Sequence, residues 1–173
     1  MSGTQIRWPL LENQIRRGKM GTFGAVRDGG KRAHHGWDLY ALPGTMCLAV
    51  DDGVVVRAGY EASYGFVVDI KLNTTIRGRQ IFARYAHLSG IFVNVHDAVI
   101  KGMMIGNAGN TGNAKGMTGS NQHLHFELMA RDNPARGLQG LAPSQRYNPA
   151  DIYGVTPLDG RVFDCWSQLI GVK

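Results

Sequence analysis

Two short stretches, His34-His35-Gly36-Trp37-Asp38 and His123-Leu124-His125-Phe126-Glu127, offer imidazoles and carboxylates at spacings that suit a metal ion. His34 and Asp38 are four residues apart across Gly36, which allows a bend that turns both side chains to one point. On a β-strand, residues i and i+2 project from the same face, so His123 and His125 point one way and Leu124 and Phe126 the other. Two nitrogens and one oxygen from separate segments form a typical ligand set for a catalytic zinc, which keeps one position open for water. A third run, Arg84-Tyr85-Ala86-His87-Leu88, brings another imidazole in the same kind of setting.

The elements that must carry these residues read as short strands. Val54–Ala58, Phe66–Leu72, Gln80–Tyr85 and Leu124–Leu128 are β-branched or alternating, with Gly- or Asn-rich turns between them. Asn73–Gly78 reads as a hairpin loop, and Asn148–Tyr153 as one helical turn with Pro149 at its first position. The expected fold is mainly β, a single domain of antiparallel sheets with few short helices. Residues 1–20 read as a basic leader packing on or flanking the core, in which Leu10, Leu11, Ile15 and Met20 make one face of a short helix after Pro9. The core domain spans 21–153. Residues 154–173 are a tail whose Phe163, Trp166, Leu169 and Ile170 suggest docking.

With 173 residues, the chain suffices for one domain with a real core. Hydrophobic residues make up 43% and charged residues 18%, as in ordinary globular proteins. No apolar run is long enough to span a bilayer, and residues 1–10 lack the apolar region of a secretory signal. Net charge is +6, with a pI near 9.6. This charge serves either solubility or attraction to an anionic polymer; no specific nucleic-acid motif accompanies it. Cys47 and Cys165 form no metal motif, and Cys47 reads as a buried small hydrophobe. A Cys47–Cys165 bridge, tying the tail to the core, is the alternative.

The three motifs, in the order His-x-Gly-x-Asp, Tyr-x-His-Leu and His-Leu-His-Phe-Glu, resemble those of the lysostaphin-type, LytM-like zinc metalloendopeptidases that cut bacterial peptidoglycan. Ala49–Val55, Tyr64–Val68, Val99–Gly102 and Ile105–Gly112 are similar to the segments joining the motifs in that family, and the likeness covers roughly residues 20–153. The resemblance implies a duplicated-hybrid-motif fold with a groove-shaped active site. It implies one Zn²⁺ held by His34, Asp38 and His125, with His87 and His123 as catalytic histidines that handle protons and the oxyanion. Their division of labour is left open. Glu127 shares the strand face of the His-x-His pair. It either holds a ligand imidazole by a hydrogen bond or is a solvated strand-end carboxylate. Tyr85 would share the face of His87, lining the groove or packing beside it.

His35 fills the variable position of the first motif, and His96 lies in a loop; neither receives a role. Trp37 is expected to pack under the ligand turn. Asn113–Gln122 is several residues longer than the family's usual linker and would border the groove. By resemblance the substrate is a peptidoglycan peptide, with direct cross-links ending in a D-residue favoured over glycine bridges. A monomer acting on the wall after delivery by a secretion system, phage particle or lysis is expected, as an antibacterial effector or phage-associated hydrolase with an immunity or delivery partner. The competing reading is a non-catalytic regulatory module of the same family that activates a cell-wall amidase; it requires lost ligands, and every position is filled here.

Overall fold

The structure, a computed structural model, describes residues 6–131, 145–155 and 162–164. Its strands are β1 (Glu12–Asn13), β2 (Gly24–Arg27), β3 (Arg32–His34), β4 (Trp37–Tyr40), β5 (Met46–Leu48), β6 (Gly53–Glu61), β7 (Gly65–Ile76), β8 (Arg79–Ile91), β9 (Ala98–Val99), β10 (Met104–Ala108), β11 (His123–Arg131), β12 (Arg146–Tyr147) and β13 (Phe163–Asp164). One α-helix, α1 (Pro149–Tyr153), is capped by the Asn148 side chain accepting from Ala150 N. The protein is mainly β, as its alternating runs predict. All strand pairs are antiparallel.

Nine strands make one sheet, whose main path runs β12-β11-β8-β7-β6-β9. β10 joins it against β8 and β5, and β4 pairs with the start of β11. β8 is central, and its residues 81–88 are buried without a break, the pattern of a strand covered on both faces. The hairpin between β7 and β8 is tighter than the sequence reading supposed. β7 continues through Thr74, Thr75 and Ile76, whose branched side chains suit a strand. Only Arg77 and Gly78, at φ 51° and 74°, make the turn. Positive φ at both central residues is what a two-residue hairpin with right-handed twist needs.

The N-terminal segment does not form the expected helix. Leu10 and Ile15 are buried, but Leu11 and Met20 are exposed. Its backbone groups instead find distant partners: Arg7 N donates to Val50 O, Leu48 N to Pro9 O, and Tyr40 N to Gln14 O. Asn13 bonds both Leu10 N and Leu10 O, holding a turn where a helix would need i→i−4 bonds. Ile6, Trp8, Leu10 and Ile15 thereby enter the main core. Trp8 stacks on Tyr153 at 4.3 Å and on Trp37 at 5.5 Å between ring centroids. Trp37 thus packs beneath the first motif. Of the tail, β13 pairs with β1. The expected docking of Trp166, Leu169 and Ile170, and any Cys47–Cys165 bridge, lie outside the described residues; Cys47 itself is fully buried.

Candidate metal centre and active-site groove

β4 and β11 run side by side, so Asp38 faces His125 directly in the register. The chain between β3 and β4 bends at Gly36, where it presses on β11. A Cβ at this position would lie 2.1 Å from Phe126 O and 2.9 Å from Glu127 Cγ, so close approach excludes any larger residue. The bend swings His34 over Asp38. His34 Nε2 is 3.0 Å from Asp38 Oδ1, His125 Nδ1 is 2.9 Å from the same oxygen, and the two nitrogens are 3.0 Å apart.

Hydrogen bonds on the outer sides of the rings decide what this triangle can do. His34 Nδ1 donates to Thr22 O at 2.8 Å. His125 Nε2 donates to Glu127 Oε1 at 2.8 Å. Each bond fixes the proton on the outer nitrogen and leaves a lone pair on the inner one. In their neutral form the two rings then aim nitrogen lone pairs at the point the carboxylate oxygen also faces, a demand a cation satisfies. Without one, burial would lower the pKa of His125, but bonds to Asp38 and Glu127 outweigh it and push it up to about 9. A tetrahedral site with bonds of about 2.0–2.1 Å spaces its ligand atoms about 3.3 Å apart, close to the separations seen. Among the described residues, His34, Asp38 and His125 are the group able to hold a metal.

The other two imidazoles are built alike. His87 Nδ1 donates to Thr111 O at 2.8 Å, and His123 Nδ1 to Asn121 O at 2.7 Å. Their Nε2 atoms are left as acceptors, with His123 Nε2 3.4 Å from Asp38 Oδ1. The two rings meet edge to face at 5.1 Å, in a groove of about 870 Å³ that both line. Burial, reinforced by neighbouring imidazoles, lowers the pKa of His87 to about 3. Burial also lowers His123. Both rings are therefore neutral near pH 7, with Nε2 free to accept a hydrogen bond.

Glu127 is fully buried. It accepts from His125, from Tyr64 OH at 2.6 Å and from Arg146 Nη1 at 2.5 Å. Burial alone would raise its carboxyl, but these partners outweigh it and hold the pKa at about 2. Of its two expected roles, the structure shows the hydrogen bond to the ligand imidazole. Burial and Glu127 together push the Tyr64 phenol up to about 12, so it remains a donor. Burial would also raise Asp38, yet bonds from His125 and His34 carry it well below the usual carboxylate range.

A family-wide comparison bears on this arrangement. Residues 32–136, more than half of the chain and the span of all three motifs, match the model of "Peptidase family M23". The chain belongs to peptidase family M23. Among curated relatives, the peptidoglycan DD-endopeptidase ShyA of Vibrio cholerae is 36% identical over 64% of this chain and 23% of its own length. The glycyl-glycine endopeptidase ALE-1 of Staphylococcus capitis is 36% identical over 56% of this chain and 24% of its own. The chain thus spans about a quarter of these relatives. Among solved structures, the lysostaphin catalytic domain of Staphylococcus simulans superposes with a TM-score of 0.57 at 28% identity, covering 75% of this chain and 86% of that one. A zinc-containing peptidase from Vibrio cholerae gives 0.59 at 27%, covering 76% and 39%. These likenesses agree with the β architecture expected from the motifs.

Within the M23 frame, the five motif residues His34, Asp38, His87, His123 and His125 all meet in one groove. Tyr85 does not join them, which corrects the expectation that it shares the face of His87. Its ring is fully buried against Phe126 at 5.4 Å. Its hydroxyl donates to Leu48 O and accepts from Val50 N. The cause is a bulge: His87 has φ 61°, and the β7–β8 register shifts beside it, which breaks the two-residue alternation. His35 lines the groove and His96 is exposed. Sequence reasoning gave no role to Arg17, Arg27, Tyr64 and Arg146. Arg27 Nη2 lies 2.6 Å from Asp38 Oδ2, and Arg17 Nη1 bonds that oxygen too.

Proposed function

We propose that this chain is a zinc-dependent endopeptidase that hydrolyses peptide cross-links or stem peptides of bacterial peptidoglycan, with direct cross-links ending in a D-residue as its target. One observation carries the reading: two tautomer-locked imidazoles and a carboxylate aim three acceptors at one point, beside two further imidazoles held neutral in the same groove. Nitrogen and carboxylate donors in a three-ligand set suit zinc with an open position, and His34, Asp38 and His125 would hold it. When bound, zinc supplies a Lewis acid that polarises the scissile carbonyl and makes water more acidic.

The protein's own groups supply the remaining work. His87 and His123 each present an unprotonated Nε2 to the groove, able to take a proton from the attacking water and return it to the leaving amine. The imidazole that has taken the water's proton can donate it to the developing oxyanion before passing it to the leaving amine. Tyr64 and Arg146 hold Glu127, and Glu127 holds His125, so the ligand ring cannot rotate away. The regulatory alternative gains no support, because no ligand or catalytic position is missing.

Metal analysis of the purified protein, joined to mass spectrometry of digested cell-wall sacculi, tests the reading. The expected result is about one zinc per chain and release of monomeric stem peptides from cross-linked dimers. Release of Gly-Gly fragments would overturn the cross-link assignment. Protein that neither binds zinc nor cuts sacculi would overturn the whole proposal.

A further inference from the structure

Two groove residues remain that neither the ligand set nor the proton-handling pair uses. Arg17 and Arg27 converge on Asp38 Oδ2 from different segments. Both precede residue 32, where the match to the family begins. One guanidinium is enough to fix the second oxygen of a ligand carboxylate. The second leaves a positive charge uncompensated on this wall. These are not solvated surface arginines: their side chains are 11% and 12% exposed. Withdrawing a guanidinium from water is costly unless acceptors replace the water. Each guanidinium has five N–H donors, yet Asp38 Oδ2 is the one protein acceptor each finds among the described residues. The Arg27 Nε–H is buried with no acceptor among the described residues, which adds to the cost of holding this guanidinium here. Both side chains border the groove, so the missing acceptor is one that a ligand in the groove can bring.

We infer that Arg17 and Arg27 form a subsite for a free carboxylate of the substrate, on the amine side of the scissile bond. The inference rests on the peptidase reading above and names which of its substrates the groove selects. The scale fits. Asp38 Oδ1 belongs to the metal triangle and Asp38 Oδ2 to the arginine pair, so the two sites are one carboxylate group apart. In a direct cross-link to a diamino dicarboxylic acid, the carbon bearing the scissile nitrogen also carries a carboxylate. With the scissile carbonyl at the triangle, that carboxylate lies a nitrogen and a carbon away, within reach of the same two forks. An internal glycine of a glycine bridge has no such group. Paired guanidiniums suit this ligand because their planar donors match a carboxylate edge.

The test compares a cross-linked muropeptide dimer carrying the free carboxylate at that carbon with the same dimer carrying a carboxamide. Wild-type, Arg17→Gln and Arg27→Gln proteins are assayed, with bound zinc measured in each. Amidation is expected to lower wild-type kcat/KM about tenfold or more, the worth of one charged hydrogen bond. Each variant should lose a similar factor on the free form and most of the preference. A wild-type enzyme that cuts both dimers equally, or variants that keep the full preference, would overturn the inference. A second measurement does not depend on turnover. Calorimetry of the amine-side product peptide, free or amidated, with chelator-treated protein should show about tenfold weaker binding of the amide; equal binding rejects the subsite. If neither dimer is cut, the peptidase reading fails, while product binding still decides the carboxylate site.

Discussion

Replacing Glu127 by Gln tests whether the second layer of the site matters as much as its ligands. The carboxylate is fully buried and shared among His125 at 2.8 Å, Tyr64 at 2.6 Å and Arg146 at 2.5 Å. The amide keeps the shape but not the charge. It has one oxygen, so it can accept from the His125–Tyr64 pair or from Arg146, but its NH₂ must face whichever is left. Arg146 then loses the counter-charge that justified its burial. Breaking a buried pair by removing one partner costs about 3–5 kcal/mol; Arg146 is 12% exposed, so the lower end is expected, about 3 kcal/mol. At about 2–4 °C per kcal/mol for a chain of this size, Tm should fall by about 6–12 °C. The His125 ring keeps at most a neutral acceptor in place of a carboxylate, and such outer partners are worth about 10–100-fold in metal affinity. Thermal unfolding measured by circular dichroism and zinc competition against a chromophoric chelator read the two effects separately. A variant with unchanged zinc affinity would refute the claim that Glu127 fixes the ligand tautomer, whatever its Tm.

Three further outcomes follow from the geometry. His125→Ala should abolish both zinc retention and hydrolysis, whereas His123→Ala should abolish hydrolysis with zinc retained; metal content and a sacculus-release assay separate them, and a fully active His123→Ala protein would remove that residue from proton transfer. Gly36→Ala drives a Cβ toward Phe126 O and should cost about 1–3 kcal/mol or more by overpacking. It should also weaken zinc binding, because the turn carrying His34 and Asp38 must lift off β11; wild-type affinity would show the close approach to be dispensable. Tyr85→Phe leaves Val50 N–H and Leu48 C=O without their shared hydroxyl and should cost about 1–3 kcal/mol of stability with no change in zinc affinity. A selective loss of activity there would restore Tyr85 to the groove.

What the sequence revealed follows the reach of its regularities. The candidate positions were legible because a four-residue bend and a two-residue strand period are local rules that His34, Asp38, His123 and His125 obey; which three would hold a metal came from the family resemblance. Glu127 followed from the same period, although its burial did not. Tyr85 misled for the opposite reason: the period was carried across His87, where a positive φ resets which face the next side chain takes. Arg17 and Arg27 bore no readable signal, because their partner Asp38 lies in another segment and nothing in a basic cluster tells a groove wall from a solvated surface. Tyr64 sits before a glycine in a turn, and Arg146 reaches Glu127 from a short edge strand; both needed the tertiary structure. The N-terminal helix failed since the apolar spacing of Leu10, Leu11, Ile15 and Met20 fits either form, and remote backbone partners decided for an extended path.

That extended path ties residues 7 and 8 to Tyr153, far along the sequence. Tyr153 OH donates to Arg7 O, and Trp8 is stacked between Trp37 and Tyr153. During synthesis, residues 6–15 precede the segments they pack against, so their resting place does not yet exist when they emerge. Contacts of such long sequence separation carry a high loop-closure cost, so this segment is expected to lock late. Arg17 follows directly after it, so its half of the wall beside Asp38 is expected to form with that segment.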